Sequence, residues 1–345
     1  MARIALTRTL MAALAVSTST FAMAQDAPPA EETASDGDIV VTAQRREQSL
    51  LDVPLAVTAL GGDTLADRGI TNSAQLGSAV PNLQINSPYG NTQPNFSLRG
   101  IGVANEYNSN QASPVGVYLH DVYLATRSSH GMGLLDLDRI EVLRGPQGTL
   151  FGRNTTGGAI NFITKKPDLS GTNGYLQVGY ANFDTFTAQG AAEATLAEDV
   201  AGLRLAVNYA KGDGQIRNVF PGGRDAASVD TLQGRASLRV KPTETLDIVL
   251  RAYAGRDRGT QAAVHGLQPF RTGLGFFQTN ENRIGDNNTD AWGFSANIAL
   301  ELSETLSLTS ITSSAGSQPA LPPAAAGSPL DILDINWRSR YRQFS

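Results

Sequence analysis

Residues 140–167 read IEVLRGPQGTLFGRNTTGGAINFITKKP, and the rest of the chain takes its meaning from this stretch. Two apolar runs, Ile140–Leu143 and Ala159–Thr164, flank a connection holding Gly145, Pro146, Gly148, Gly152, Gly157 and Gly158. So much glycine in one connection implies a backbone that turns repeatedly, often with φ above zero, where a side chain would clash. The residues alone predict two short strands joined by a tightly folded polar loop. A phosphate-cradling loop would end in Gly-Lys-Ser/Thr and open a helical pattern, and neither follows here.

Composition narrows the class of protein. The chain has 345 residues, 41% hydrophobic and 17% charged, with 35 Gly and a net charge of −5. That length allows about two domains. The acidic balance gives no support to a nucleic-acid partner. Cysteine is absent, which excludes disulfides and thiolate metal ligands.

Residues 1–24 carry Arg3 and Arg8, an apolar core from Leu10 to Val16, and Ala22-Met23-Ala24 before Gln25. This is the pattern of a secretory signal peptide. Its apolar stretch is far short of the roughly 20 residues a bilayer-spanning helix needs. No later run is long enough either, so the mature protein is expected outside the cytoplasm, as a soluble protein or a β-barrel. Residues 25–50 read as a linker. Its first part, Gln25–Gly37, is rich in Ala, Pro, Glu, Ser and Asp, a composition too polar to fold alone.

Within that linker, Asp38-Ile39-Val40-Val41-Thr42-Ala43 is an extended hexapeptide behind a flexible tether. It suits β-strand addition to a partner's sheet edge, and equally the first strand of the domain that follows.

Residues 51–167 mix periods. Val53–Leu60, Leu83–Asn86, Phe96–Ile101, Val115–Leu124 and Ile140–Leu143 read as strands, and Asp63–Arg68 and Ser73–Val80 as short helices stopped by Gly69 and Pro81. Short strands with short helices make a small α/β unit. Two polar connections, Pro88–Asn95 and Ala104–Ser113, are long for such a unit. Their Tyr89, Asn91, Gln93, Asn105, Glu106, Tyr107 and Asn108 offer hydrogen bonds and stacking faces to a small ligand, or form ordinary solvated loops. His120, His130 and His265 are scattered, and no nucleophile–base or paired-carboxylate arrangement is visible. Neither an enzyme nor a metal or cofactor site is expected.

After Pro167 the period becomes two. In 185–196, Phe186, Ala188, Ala192 and Leu196 face away from Thr187, Gln189 and Glu193, and 203–210, 231–240 and 292–302 alternate likewise. With 175–181, 246–254 and 306–312 there are seven candidate strands. They approach the length of a tilted barrel-spanning strand, and short turns near 197–201, 241–245 and 303–305 separate long polar loops at 211–230 and 256–288. A soluble β-sandwich also alternates. The turn pattern favours a membrane barrel, with the apolar side toward lipid and Arg204, Arg235, Arg239 and Arg251 toward the lumen. Those arginines could draw anionic ligands, but pairing with carboxylates of the preceding domain is the simpler expectation.

Three ordered segments then identify a family. SLRGIG at 97–102, PVGVYLHDVY at 114–123, and IEVLRGP at 140–146 with Gly148 and Phe151-Gly152-Arg153 resemble the plug signatures of TonB-dependent outer-membrane receptors. The hexapeptide 38–43 resembles their TonB box, which the partner TonB captures.

The resemblance implies a mixed α/β plug domain (51–167) followed by an incomplete antiparallel transmembrane β-barrel (168–345), about seven strands where plugged transporters use about 22. It implies outer-membrane lipid around the barrel and TonB as the source of energy. It also implies a scarce small-molecule ligand, most often a ferric siderophore, with glycans, cobalamin and nickel chelates as alternatives. Arg99 and Arg144 resemble plug arginines that pair with barrel carboxylates. A plug of roughly 115 residues is too wide for a barrel of seven or eight strands, so the chain is expected to be the first part of a longer receptor.

Overall fold

The computed structural model describes residues 40–43, 45, 48–87, 93–104, 111–131, 134–262, 273–321, 328–330 and 337–345. The expected signal peptide, the tether, Asp38, Ile39, His265 and most of the two polar plug connections lie outside the described residues.

The first layer is built from short strands: β1 (Val40–Val41), β2 (Gln48–Ser49), β3 (Val57–Gly61), β4 (Leu83–Asn86), β5 (Asn95–Leu98), β6 (Val115–Leu119), β7 (Val122–Tyr123), β8 (Leu137–Arg144) and β9 (Gly158–Thr164). Five of them form one sheet in the order β3-β8-β9-β6-β7, antiparallel except for the parallel β6–β9 pair. β8 and β9 are buried along almost their whole length because both faces of the sheet are covered. One face packs Ile140, Val142, Ile160 and Phe162 under Leu76, Leu83 and Phe96. The other packs Leu143 and Ala159 with Tyr118, Phe151, Val53 and, from the preceding segment, Val41 and Ala43. Each fully buried aliphatic side chain here contributes about 1.5–3 kcal/mol, which fixes the register of the central strands.

Helix α1 (Gly62–Asp67) buries Leu65 and stops before Gly69, whose φ is +64°. The second expected helix is a tighter 3₁₀ turn, Ser73–Ser78, started by a reciprocal cap between Asn72 and Gln75. A single helical turn, α2 (Gly148–Phe151), lies inside the glycine-rich connection that reads from sequence as loop.

The second layer is a wall of seven long antiparallel strands: β10 (Thr172–Ala181), β11 (Thr185–Ala197), β12 (Ala201–Gly212), β14 (Val229–Thr243), β15 (Leu246–Asp257), β17 (Asn288–Ser303) and β18 (Leu306–Leu321). Two loop strands, β13 (Arg217–Asn218) and β16 (Gln278–Thr279), pair with each other, and β19 (Trp337–Arg338) and β20 (Tyr341–Phe344) continue the sheet beyond β18. Among the described residues the sheet is open, with β10 at one edge.

Side chains alternate as the sequence predicts. Leu176, Val178, Leu205, Val207, Trp292 and Phe294 are exposed on one face, while Glu193, Arg204, Arg235, Ser237, Arg251 and Ser295 are buried on the other, against the plug. The turns at 198–200, 244–245 and 304–305 fall at one end of the wall, and the connections 213–228 and 258–287 at the opposite end. No described helix is long and apolar enough to cross a membrane.

Two expectations need correction. Val115–Leu124 is a hairpin rather than one strand: His120 and Asp121 both have positive φ, +53° and +67°, and make a two-residue turn between β6 and β7. The plug resemblance further implies glycines of this loop packed against the barrel wall, but Gly157 and Gly158 pack within the plug, while Gly148 and Gly152 face open space. A Cβ at Gly158 (φ +148°) would strike Leu143 O and Leu98, and one at Gly157 would press on Ile101. It is a wall glycine, Gly202, that admits the backbone of Asp168 where the plug hands over to the wall.

Candidate functional site: the docked box and the plug–wall latch

Residues 39–345 form one compact unit, so plug and wall share an interface, and two features of it carry functional meaning. The first is the described part of the hexapeptide, Val40–Ala43. Val40–Val41 pairs antiparallel with Gln48–Ser49, so this part of the hexapeptide is already a strand. Val41 and Ala43 are fully buried in the apolar cluster beneath Leu143 and Phe151. Between them, Thr42 donates its backbone N–H to Glu141 Oε1 at 2.7 Å, and its hydroxyl reaches both carboxylate oxygens at 3.2 and 3.3 Å. Glu141 is itself fully buried on β8, with Arg139 Nε 2.8 Å away as counter-charge. A buried carboxylate needs a cation and several donors, and Thr42 supplies two of those donors.

Arg45 follows directly. Its guanidinium stands 4.4 Å above the Phe151 ring and 5.4 Å above Tyr118, and its NH1 lies 3.2 Å from Asp121 Oδ1. Burial pushes the Tyr118 phenol up to about 12, so it stays neutral and donates to Phe151 O at 2.5 Å. Residues Val41–Ala43 are therefore held by a carboxylate and an apolar pocket, and Arg45 just beyond them by an aromatic clamp. Of the two readings the sequence left even, the described residues Val40–Val41 here form a short strand within their own chain.

The second feature is a latch. Asp136, at φ +50°, projects a fully buried carboxylate from the plug into the wall. Arg204 of β12 grips it through two nitrogens, Nε to Oδ2 at 2.9 Å and NH2 to Oδ1 at 2.6 Å, and also reaches Glu193 at 2.8 Å. Arg235 of β14 donates to Asp136 Oδ2 at 2.7 Å and to Leu135 O at 2.8 Å. Planar, bidentate guanidinium–carboxylate pairing is the strong form of this contact. Of the other two lumen-face arginines, Arg239 pairs with Asp247 within the wall, and Arg251 donates to Asn297 Oδ1 at 3.2 Å.

The expected pairing of Arg99 and Arg144 with barrel carboxylates is not found among the described residues. Arg99 is exposed at φ +52° with NH1 beside Gly145, and Arg144 Nε is buried without a hydrogen-bond partner. The ion pairs that cross the described interface have the opposite sense, with the acid on the plug and the bases on the wall. Of the candidate ligand contacts, Gln93 is buried, at 2% exposure, and so is not a surface contact. Tyr89, Asn91, Asn105, Glu106, Tyr107 and Asn108 lie outside the described residues.

Sequence reasoning missed Glu141 and Asp136. The available signal was an acid inside an apolar run, IEVL and LLDL, where only a paired carboxylate is tolerable.

Comparison with known proteins agrees with this architecture. Residues 49–159 match the family model described as TonB-dependent Receptor Plug Domain. The chain is similar to the pesticin receptor of Yersinia pestis, 28% identical over 211 residues that span 61% of this chain and 30% of that protein. It is also similar to the ferric enterobactin receptor of Pseudomonas aeruginosa, 29% identical over 242 residues, 61% of this chain and 32% of that one. The fold resembles the crystal structure of the ferric yersiniabactin uptake receptor of Yersinia pestis, with a TM-score of 0.72 at 20% identity, over 84% of this chain and 44% of that one. The matched region thus spans about a third of the curated relatives' length.

Proposed function

We propose that this chain, which belongs to the TonB-dependent receptor family, serves energised uptake of a scarce ligand across the bacterial outer membrane, the ligand being a ferric siderophore. The observation that carries the reading is the docked hexapeptide. A strand-forming segment held by Glu141, in a plug latched to a polar wall face, is an arrangement that can be released by pulling from one side.

In this mechanism the ligand binds the outward loops of plug and wall. Asp38–Ala43 then leaves Glu141 and adds as a strand to TonB, and force drawn from the inner membrane's proton gradient displaces part of the plug. The wall's apolar outer face, carrying Leu176, Val178, Leu205 and Val207, suits lipid, and the polar inner face suits the plug. A secreted β-sandwich would instead cover that apolar face with a second sheet. Iron chelates are favoured as ligand by the names of two similar proteins, a ferric enterobactin receptor and a ferripyoverdine receptor, though a vitamin B12 transporter of Vibrio vulnificus is similar too, at 26% identity over 231 residues.

The test uses cells carrying the full-length gene product, given labelled ferric siderophores, cobalamin and oligosaccharides in strains with and without TonB. Uptake of a ferric chelate that requires TonB is expected. Uptake independent of TonB, or of cobalamin or a glycan alone, contradicts the proposal.

A further inference from the structure

We infer that Arg45 is the catch that keeps the hexapeptide docked, and that the β6–β7 hairpin sets its hold from the wall. This rests on reading 38–43 as the segment TonB captures.

Two sets of contacts meet on the hairpin. From the wall side, Gln343 in β20 grips it twice: Gln343 Oε1 accepts from Ala125 N at 2.8 Å, and Gln343 Nε2 donates to Tyr123 O at 2.5 Å. On β17, Asn297 Nδ2 donates to His120 O at 3.3 Å. The hairpin's turn is His120-Asp121, both residues in the left-handed region, which fixes where the Asp121 carboxylate points. From the plug side, Asp121 Oδ1 accepts from Asn161 Nδ2 at 2.9 Å and from Arg45 NH1 at 3.2 Å. Asp121 O also accepts from Arg45 NH1, at 3.4 Å.

Arg45 is two residues beyond Ala43, which is fully buried, and three beyond Thr42, which holds Glu141. Its own φ is +62°, so the chain bends sharply there and the guanidinium turns back over Phe151 and Tyr118. The pair with Asp121 is partly exposed and the stacking is one-sided, so the catch is weak enough to open. A shift of the hairpin relative to the wall moves Asp121 away from Arg45 and loosens the segment without disturbing the Glu141 contacts directly. Arg45 is thus a positioning residue. It governs how often the captured segment is free.

These 345 residues hold no cysteine, so Ala43→Cys in the full-length receptor, with any cysteine outside them replaced by serine, is a single reporter whose thiol is buried when the segment is docked. Its rate of modification by a membrane-impermeant maleimide is measured in outer membranes of cells lacking TonB, so that capture plays no part. Arg45→Ala is expected to raise the rate about tenfold, the factor a partly screened pair and a stacked guanidinium together supply, with Asp121→Asn, which loses the pair alone, and Arg45→Lys both intermediate. At the wall end, Gln343→Ala and Asn297→Asp are expected to raise it as well. Asn297→Asp keeps an acceptor for Arg251 while removing the donor to His120 O. Heat-modifiable migration of each variant reports that the receptor is folded.

An unchanged rate in folded Arg45→Ala and Asp121→Asn overturns the catch. A rise there with none in the wall variants overturns the hairpin's part. Failure of the underlying reading is distinguishable: uptake would then survive loss of residues 38–43, whatever the labelling rates.

Discussion

Asp136 is the residue on which the described plug–wall ion pairs converge. It accepts a paired grip from Arg204 and a third bond from Arg235, all three side chains being buried. Removing one partner of a buried ionic network leaves uncompensated charge behind and costs about 3–5 kcal/mol. Asp136→Asn in the full-length receptor is therefore expected to lower its unfolding temperature in detergent markedly, whereas Asp138→Asn, on an exposed side chain next to Arg139, changes little. The two variants melting alike would contradict the latch. The sequence placed Arg204 and Arg235 on the inner face through strict alternation and paired them in expectation with plug acids. It did not say which acid, because pairing across layers depends on how two sheets sit against each other and not on spacing along the chain.

Histidines at this scale act through what they lack. Burial pushes His130 down to about 4, against a helpful bond to Leu124 O and a further push from Arg127. His120 is lowered by burial and by Arg251 and Arg235. The unfolded chain binds these protons near pH 6.5 and the folded plug refuses them, so the stability they carry is present above about pH 6.5 and is lost as pH falls toward 4. Lowering pH from 6.5 to 5 should remove about 2 kcal/mol through His130. His130→Gln should flatten that loss in a pH series of melting curves, and an equally steep loss in the variant would refute the assignment.

Elements were legible where one face decides the pattern. All seven wall strands are visible in the period-two alternation, since lipid-side and plug-side residues must differ in kind. Their ends were not. β18 runs to Leu321 although apolar alternation stops near Thr312, because Ser313–Gln318 is held by backbone pairing to β17 and shows small or polar residues on both faces. The hairpin at His120-Asp121 was hidden for a similar reason: neither residue is the glycine or asparagine that such turns favour. Val207, exposed near the middle of β12, tests the outward face. Val207→Arg should cost about 2–4 kcal/mol near the bilayer midplane and deplete the outer-membrane form, while Val207→Leu is neutral. Equal membrane levels of the two variants would mean that this face does not meet lipid.

At the scale of the whole molecule, a two-faced α/β plug lies against a sheet that is open among the described residues and whose far face is apolar, and the matched region spans about a third of similar receptors. The glycine-rich stretch 140–167 identified that plan because its strands β8 and β9 form the centre of the plug sheet, and β9 leads directly into the wall. What the stretch did not disclose was that Glu141, in its second position, holds the hexapeptide 99 residues upstream. The central claim is that this hexapeptide couples the receptor to its energy source and takes no part in ligand recognition. The direct measurement compares ligand binding and uptake in cells carrying the full-length receptor with and without residues 38–43. The account predicts that the deletion leaves binding at the cell surface intact and abolishes uptake. Uptake that persists without those residues would contradict it.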